Sequence, residues 1–546
     1  MLPAASNPCP FRLGFAALLA VLFAACAPSA TGGASATRVF TVAQQREPAS
    51  LNPALENGTS STQWGELLFQ YLVKYDDRGR LIGDAATAVP SLQNGGISRD
   101  GLTITYHLRH GLKFADGVPL TAKDCAYSID AINDPANSPQ SRFGYDIVRA
   151  AEARGDDTLV LHLTRPFAPL LTVVLAPQGF PILPAHIVSR FHDFNRIAFD
   201  SAPIGSGPYV VIRWIHGDRV ELRANPYYYR GRPAIGRFDV RFVPDANTAI
   251  NLLRTKEVDG YFSDVDYGNY PILTQIAGVR VTNTPANAVG ALIFNTRDPV
   301  TSDPRVRRAL AMAIDIPTTI RKIYRGAVST RDAGRGLFIW AYDPHAYPDI
   351  GYDPAQARAL LEQAGWKLGP DGERHKDGKP LEVLLILQAA TPGDSAIGNA
   401  IAQYEKAVGA AVSLKAFNVT QFVAPANLGG PVYGGKFQLA LYPFVNGDDP
   451  DTTDQFACKN LPPRGYNKSR ICDANIDRLL AQGQRTYETG RRKAIYAQLE
   501  ALLHAELPTV LLYQRSEVDA FTDRLHGRTT SLSTTWWNVG AWTLAP

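Results

Sequence analysis

Hydrophobic and polar positions alternate in two short stretches of the first third of the chain. In "LTITYHLR" (102–109) Leu102, Ile104, Tyr106 and Leu108 are separated by polar neighbours, and "TLVLHLTR" (158–165) follows the same rule. A period of two turns one face of each stretch toward a core, which predicts two half-buried strands. Between them "LTAKDCAYSIDAI" opens with Thr121 and carries Asp124 three positions on, the capping-box spacing, so a helix should start near 122. This part of the chain is expected to be an α+β unit.

The pattern changes in the second half. "LEVLLIL" (381–387) is apolar almost throughout, a helical "SAIGNAIAQYEKAVG" follows, and then the apolar "AAVSLKAF". That order predicts a βαβ unit with buried strands. Three helices begin at aspartate caps: "DPRVRRALAMAI" at Asp303, "DIPTTIRKIYRG" at Asp315, and "DPAQARALLEQAG" at Asp353, the last closed by Gly365. "FQLALYPF" (437–444) reads as another buried strand.

Composition narrows the class. The chain has 546 residues, 45% of them hydrophobic and 19% charged, an ordinary globular balance with length for two to four domains. The net charge of +4 is small and the cations are scattered, which argues against nucleic acid or a polybasic membrane surface as partner. At the N-terminus Arg12 precedes an apolar run from Leu13 to Ala25, too short to span a membrane and typical of a secretory signal over residues 1–25. Residues 26–37 read as a flexible tether, with folded structure from about Arg38.

Cys26 ends the apolar run after "FAA" and resembles the lipidated cysteine of bacterial lipoproteins. A lipid there would attach the protein to a membrane without spanning it. Export places the remaining cysteines in an oxidising compartment, periplasmic or cell-envelope, where Cys458 and Cys472 are the expected disulfide. That bond would close a loop of about 15 residues and stabilise by roughly 3 kcal/mol. Cys125, inside the first helix, is expected to be a buried free thiol. No CxxC pair or histidine cluster at zinc spacing is present, so no metal or other cofactor is expected.

One segment raises a chemical question. "FVNGDDPDTTDQFACKN" (444–460) holds Asp448, Asp449, Asp451 and Asp454, suited to a metal, a cationic ligand or a solvated loop. Calcium would require alternating oxygens, a glycine and a terminal glutamate, which the spacing lacks. The segment lies just beyond the carboxyl end of the strand predicted at 437–444, where open α/β sheets place ligands.

Several collinear motifs carry a resemblance. "LRHGLKFADGVPLTAKDCAYSI" resembles the signature LRxGVKFxDGxPLTAxDVxxS of the family 5 extracellular solute-binding proteins of ABC transporters, the peptide and oligopeptide receptors. "SLNPAL", "PIGSGPY", "NPYYYRGRP", "EVDGYF", "DPRVRRALAMAID", "YDPAQARALLEQAGW" and "LPTVLLYQRSEVDA" follow in the family's order, so the likeness covers nearly all of 38–546. It implies an α/β, bilobal periplasmic-binding-protein fold of type II with an additional α+β domain. One lobe would take 38–65, 205–290 and 507–546, the extra domain 66–204, and the other lobe 291–506. Such lobes close over a ligand at a hinge.

The resemblance also names site candidates. Family members carry WxxDxxDP where this chain has Pro443 and Asn446 at the tryptophan and first-aspartate positions. The first aspartate holds a peptide's ammonium group, so here Asp448 must substitute, or the ligand lacks a free amine. Asn446, Asp448 and the adjoining Asp449 are therefore ligand-binding candidates, while Asp449–Pro450 also suits a turn and Asp451 and Asp454 suit helix caps. Glu47, Asn57, Thr59 and Ser60 fall on the segment that lies along bound peptide, and Asn295 ends a strand crossing between lobes. Ala291 stands where relatives often carry an aromatic ring, implying a roomier pocket.

The function these expectations describe is an extracytoplasmic receptor that delivers oligo- or dipeptides to an ABC permease, acting as a monomer. The alternative is the same role for a non-peptide solute such as an opine, a glycan, a nickel complex or haem. An exported hydrolase is disfavoured by the chemistry. "GPVYGGKF" (430–437) lacks the hydroxyl residue of a phosphate loop, "IGSGP" lacks the first glycine of a nucleophile elbow at Ser206, and His107 and His110 have no third ligand.

Overall fold

A computed structural model describes residues 39–56, 58–177, 179–263, 267–389, 391, 393–463, 465–531 and 535–545. The signal and tether expectations for residues 1–37, the lipidation of Cys26, and Asn57 lie outside the described residues. Thr59 and Ser60 fall in the helix Gly58–Leu68, and only their backbone is described.

A ten-stranded sheet organises the molecule. From one edge to the other its strands are Ala411–Phe417, Glu382–Gln388, Leu439–Val445, Val279–Phe294, Thr509–Thr522, Gly260–Ser263, Val39–Gln44, Arg237–Phe242, Arg219–Ala224 and Tyr209–Ile215. Glu382–Gln388 lies parallel to both of its neighbours, and so does Val39–Gln44. The long strands Val279–Phe294 and Thr509–Thr522 run antiparallel to each other and join the halves.

Burial follows the packing of each strand. Val279–Phe294 is mixed over its first half, but every residue from Asn287 to Phe294 is buried. That stretch lies between the strands at 439–445 and 509–522, and its alternate side chains enter two hydrophobic clusters, Leu292 and Phe294 one, Val289, Ala291 and Ile293 the other. The predicted βαβ unit forms: Glu382–Gln388, the helix Asp394–Lys406, then Ala411–Phe417 in parallel register. Its second strand departs from the expectation of burial. As the edge of the sheet it has a neighbour on one side only, and residues 413–416 are exposed.

The three aspartate-capped helices are Pro304–Met312, Ile316–Tyr324 and Pro354–Gln363, with Asp303, Asp315 and Asp353 each accepting a backbone N–H from the first turn. The α+β expectation for the early segment also holds. Thr103–His107, Thr158–Leu163 and Val148–Arg154 form an antiparallel sheet with Thr158–Leu163 in the centre. The helix Ala122–Asn133 begins with the capping box of Thr121 and Asp124. Its Cys125 is buried and free, and burial pushes the thiol pKa up.

This unit does not have a core of its own. Ile104, Ile129 and Leu161 belong to one hydrophobic cluster with Phe40, Phe238 and Val240 of the large sheet. The end of the chain returns to that cluster, where Trp536 and Trp542 stack at 5.5 Å and pack on Phe238 and Phe262. Cys458 and Cys472 are joined in a disulfide with Cα atoms 4.7 Å apart. Among the described residues no helix is long and apolar enough to cross a membrane.

Candidate functional site

A cavity of about 270 Å³ opens where the two halves of the large sheet meet. Parallel strands expose backbone groups and helix starts at their carboxyl ends, which is where open α/β sheets bind ligands. Three such ends converge here. Gln388 is the last residue of its strand, and Thr391, Asp394 and Ile397 follow, the last two in the next helix. Arg46 lies two positions past Val39–Gln44, and Tyr267 follows Gly260–Ser263. The floor is made by the crossing strands through Gly290, Ala291, Leu512, Tyr513 and Arg515, with Leu441, Tyr442 and Pro443 alongside.

Gly290 is required by that floor. A Cβ there would lie 2.3 Å from the Tyr513 ring. Tyr513 is held over the glycine by a hydroxyl–hydroxyl hydrogen bond of 3.0 Å to Tyr324, and the two rings sit 4.9 Å apart.

The charged groups of the cavity are Arg46, Arg515 and Asp394. Arg515 donates through Nε to the Tyr267 hydroxyl at 3.1 Å. Asp394 is only 6% exposed, and its Oδ2 has no hydrogen-bond partner among the described residues. Burial pushes the Asp394 carboxyl up to about 7, although Arg515 and the Thr391 hydroxyl pull the other way.

The residues singled out from the sequence are distributed differently. Asp449 is buried against Arg492, accepting two hydrogen bonds from its guanidinium at 2.6 and 2.7 Å. Asp448 is buried and accepts from the Asn287 amide. Asn446 donates to the Gly336 carbonyl at 2.8 Å and accepts from Gln455. Asn295 donates to the carbonyls of Gly435 and Phe437, both at 3.1 Å. Glu47 turns to the hairpin of Tyr209–Ile215 and Arg219–Ala224, accepting from Trp214 Nε1 at 2.8 Å and from the Gly217 amide at 3.0 Å. Their polar groups are engaged by the protein itself, and none of these five lines the cavity.

Asp451 accepts from the Thr453 backbone and the Gln484 amide, and Asp454 accepts from Asn460. The aspartate-rich segment is thus a braced turn. Among the described residues, one group could offer three metal ligands at short range, Asp371, Glu373 and His375. It sits on the small three-stranded sheet at 367–380, and none of the three lines the cavity.

Ala291 and Pro443, the two positions where this chain is smaller than the resembling pattern, both line the cavity. Sequence reasoning did not single out Asp394, Arg515 or Arg46. The signal available was position: Asp394 opens a helix just past the carboxyl end of a predicted strand.

The sequence model of the bacterial extracellular solute-binding proteins, family 5 (middle) matches residues 84–463. The chain belongs to that family. Among curated relatives, this solute-binding protein is 29% identical over 512 residues to protein XP55 of Streptomyces lividans, covering 92% of this chain and 88% of the relative. It is 27% identical over 543 residues to the probable di/tripeptide-binding protein 5 of Pseudomonas aeruginosa strain UCBPP-PA14, covering 92% and 96%. Its fold matches the oligopeptide-binding protein AppA of Bacillus subtilis, solved in complex with a nonapeptide, with TM-score 0.74, 22% identity, and coverage of 93% of this chain and 99% of the other. The fold is therefore that of the type II periplasmic binding proteins, and the family is one of receptors for extracytoplasmic solutes.

Proposed function

We propose that this protein is the peptide-binding receptor of an ABC importer, taking short peptides into the cavity at the junction of the sheet halves and presenting them to a permease. The observation that carries this reading is the cavity itself. Its walls come from segments on both sides of the crossing strands, and it places charge of both signs at the carboxyl ends of parallel strands. The names of the curated relatives, peptide-binding proteins among them, support peptide as the solute.

In this reading the lobes are 38–65 with 205–290 and 507–546, and 291–506, with 66–204 as the added unit, and they close over the peptide about the crossing strands. A peptide backbone can be held by main-chain hydrogen bonds without reading its side chains. The protein acts as a monomer and does not cleave what it binds. Residues 1–25 direct export and Cys26 carries the lipid that keeps the receptor at the membrane surface.

Native mass spectrometry of residues 27–546, purified without denaturation, tests the reading. Mass shifts spread over mixed di- to pentapeptides are expected. A single discrete non-peptide mass would overturn the peptide assignment while leaving the receptor role intact. Intact peptides after prolonged incubation separate a receptor from a hydrolase, and acyl labelling lost in Cys26→Ser tests the anchor.

A further inference from the structure

We propose that Asp394 is the anchor for the free amino group of the bound solute, in a cavity whose two arginines face the solute's carboxylate or carbonyl oxygens. The inference rests on the peptide-receptor reading and specifies which part of the peptide the cavity recognises.

A carboxylate removed from water needs a partner, because desolvating an isolated charge is costly. The acidic groups of the 444–460 segment have theirs: Asp448 takes the Asn287 amide, Asp449 the Arg492 guanidinium, and Asp451 the Gln484 amide. Asp394 is engaged less fully. It is 6% exposed, lines the cavity, leaves Oδ2 without a hydrogen bond among the described residues, and makes no ion pair with them.

Arg515 is the cation that acts on Asp394, yet the two form no ion pair, and the arginine's Nε is given to Tyr267. The carboxyl pKa of about 7 reports the same deficit: burial outweighs Arg515 and Thr391. An arriving ammonium would supply the missing partner and hold the carboxylate ionised. The position of Asp394 in the first turn of the helix Asp394–Lys406 also favours the anion.

The arginines make the cavity dipolar. Neither Arg46 nor Arg515 forms an ion pair with a described residue, and both line the same space as Asp394. A solute carrying only an amine would leave two cations facing it. One carrying an amine and a carboxylate or a row of carbonyls fits both signs, which is the chemistry of a short peptide with a free amino terminus.

The test is calorimetric titration with di-, tri- and tetra-alanine, each with a free or an acetylated amino terminus. Wild type should bind at least one free-amine member at least about 30-fold more tightly than its acetylated form, the scale expected for a buried charge pair. Asp394→Asn should abolish most of that preference by losing affinity for the free-amine peptide far more than for the acetylated one. Its retained binding of the acetylated peptide also reports that the variant is folded. If wild type binds acetylated and free peptides equally, or if Asp394→Asn keeps the full preference, the anchor is elsewhere and the peptide-receptor reading stands. If wild type binds none of these peptides and none of a di- to pentapeptide library, both the anchor and the peptide reading fall.

Discussion

The Asp449 carboxylate and the Arg492 guanidinium form a two-point ion pair almost wholly out of contact with solvent, at 2.6 and 2.7 Å. Arg492 also donates through Nε to the Gly483 carbonyl and lies over the rings of Trp340 and Tyr496. Burial by itself would depress the guanidinium pKa; the Asp449 charge more than offsets this and raises it. Asp449 further accepts the Asp451 amide across Pro450. One side chain therefore sets the turn and ties it to the helix Thr489–Glu506.

Breaking such a pair on one side strands a buried charge. Asp449→Ala is expected to destabilise by about 3–5 kcal/mol, read as a fall in denaturant midpoint. The double change Asp449→Leu with Arg492→Met should lose much less than the sum of the single changes. An Asp449→Ala protein of unchanged stability but abolished peptide binding would instead make this carboxylate a ligand contact.

Gly290 gives a prediction about the cavity floor. In Gly290→Ala the new methyl meets the Tyr513 ring at 2.3 Å, and Tyr513 is fixed by Tyr324 and by its own burial. Overpacking of this kind costs about 1–3 kcal/mol. Both stability and affinity for the solute should fall, and Tyr513→Leu in the same chain should recover stability by removing the ring. Additive effects of the two changes in thermal unfolding would show that the ring and the glycine are not coupled.

The elements were legible in the sequence where the signal is local. Asp303, Asp315 and Asp353 cap their helices because a cap needs only the next few backbone amides. The nearly continuous apolar run at 381–387 is a sheet strand with neighbours on both sides, and such burial leaves little period to read. The run at 411–417 is broken by Ser413 and Lys415 and lies at the sheet edge, where lysine is favoured and residues 413–416 are exposed. The site was less legible. Asn446 and Asp448 have the right chemistry for a ligand contact, but Gly336, Gln455 and Asn287, brought in by the fold, engage their polar groups. Asp394 and Arg515 are ordinary in sequence and become a site only when a helix start and a returning strand meet. The shared core of the early α+β unit and the large sheet was likewise out of reach, since no local pattern says which cluster a half-buried face will join.

Glu405 predicts a pH dependence of stability. It is fully buried at the end of the helix Asp394–Lys406, and neither carboxyl oxygen has a hydrogen-bond partner among the described residues. Burial raises its pKa well above 4.5. A raised folded pKa means that the fold binds the proton more tightly than the unfolded chain. The benefit is full below about 4.5 and is lost as pH rises toward the folded value, at about 1.4 kcal/mol per pH unit in the window between. Glu405→Met should therefore raise the midpoint of thermal unfolding more at pH 8 than at pH 4.5. An equal shift at both pH values would mean that the fold does not raise this pKa.

In the proposed lobe assignment, Tyr487 joins two parts of the chain that move relative to each other when the receptor opens. Its hydroxyl accepts the Phe167 amide at 3.1 Å and donates to the Gly101 carbonyl at 3.2 Å, and the Ala168 amide reaches the Gln484 carbonyl at 2.7 Å beside it. These bonds link the end of the helix Ala474–Arg485, and the loop leading on to Thr489–Glu506, to the early α+β unit. Each of these part-buried bonds contributes about 1 kcal/mol, so Tyr487→Phe should weaken the contact between the two parts by roughly 1–2 kcal/mol. A receptor whose binding form is less populated binds more weakly, here by at most about 5- to 30-fold. Small-angle scattering of the unliganded variant should give a larger radius of gyration than wild type, and saturating solute should bring the two together. A radius that is unchanged without solute, with affinity unchanged as well, would mean that the Tyr487 contacts persist when the cleft opens and that the hinge lies elsewhere.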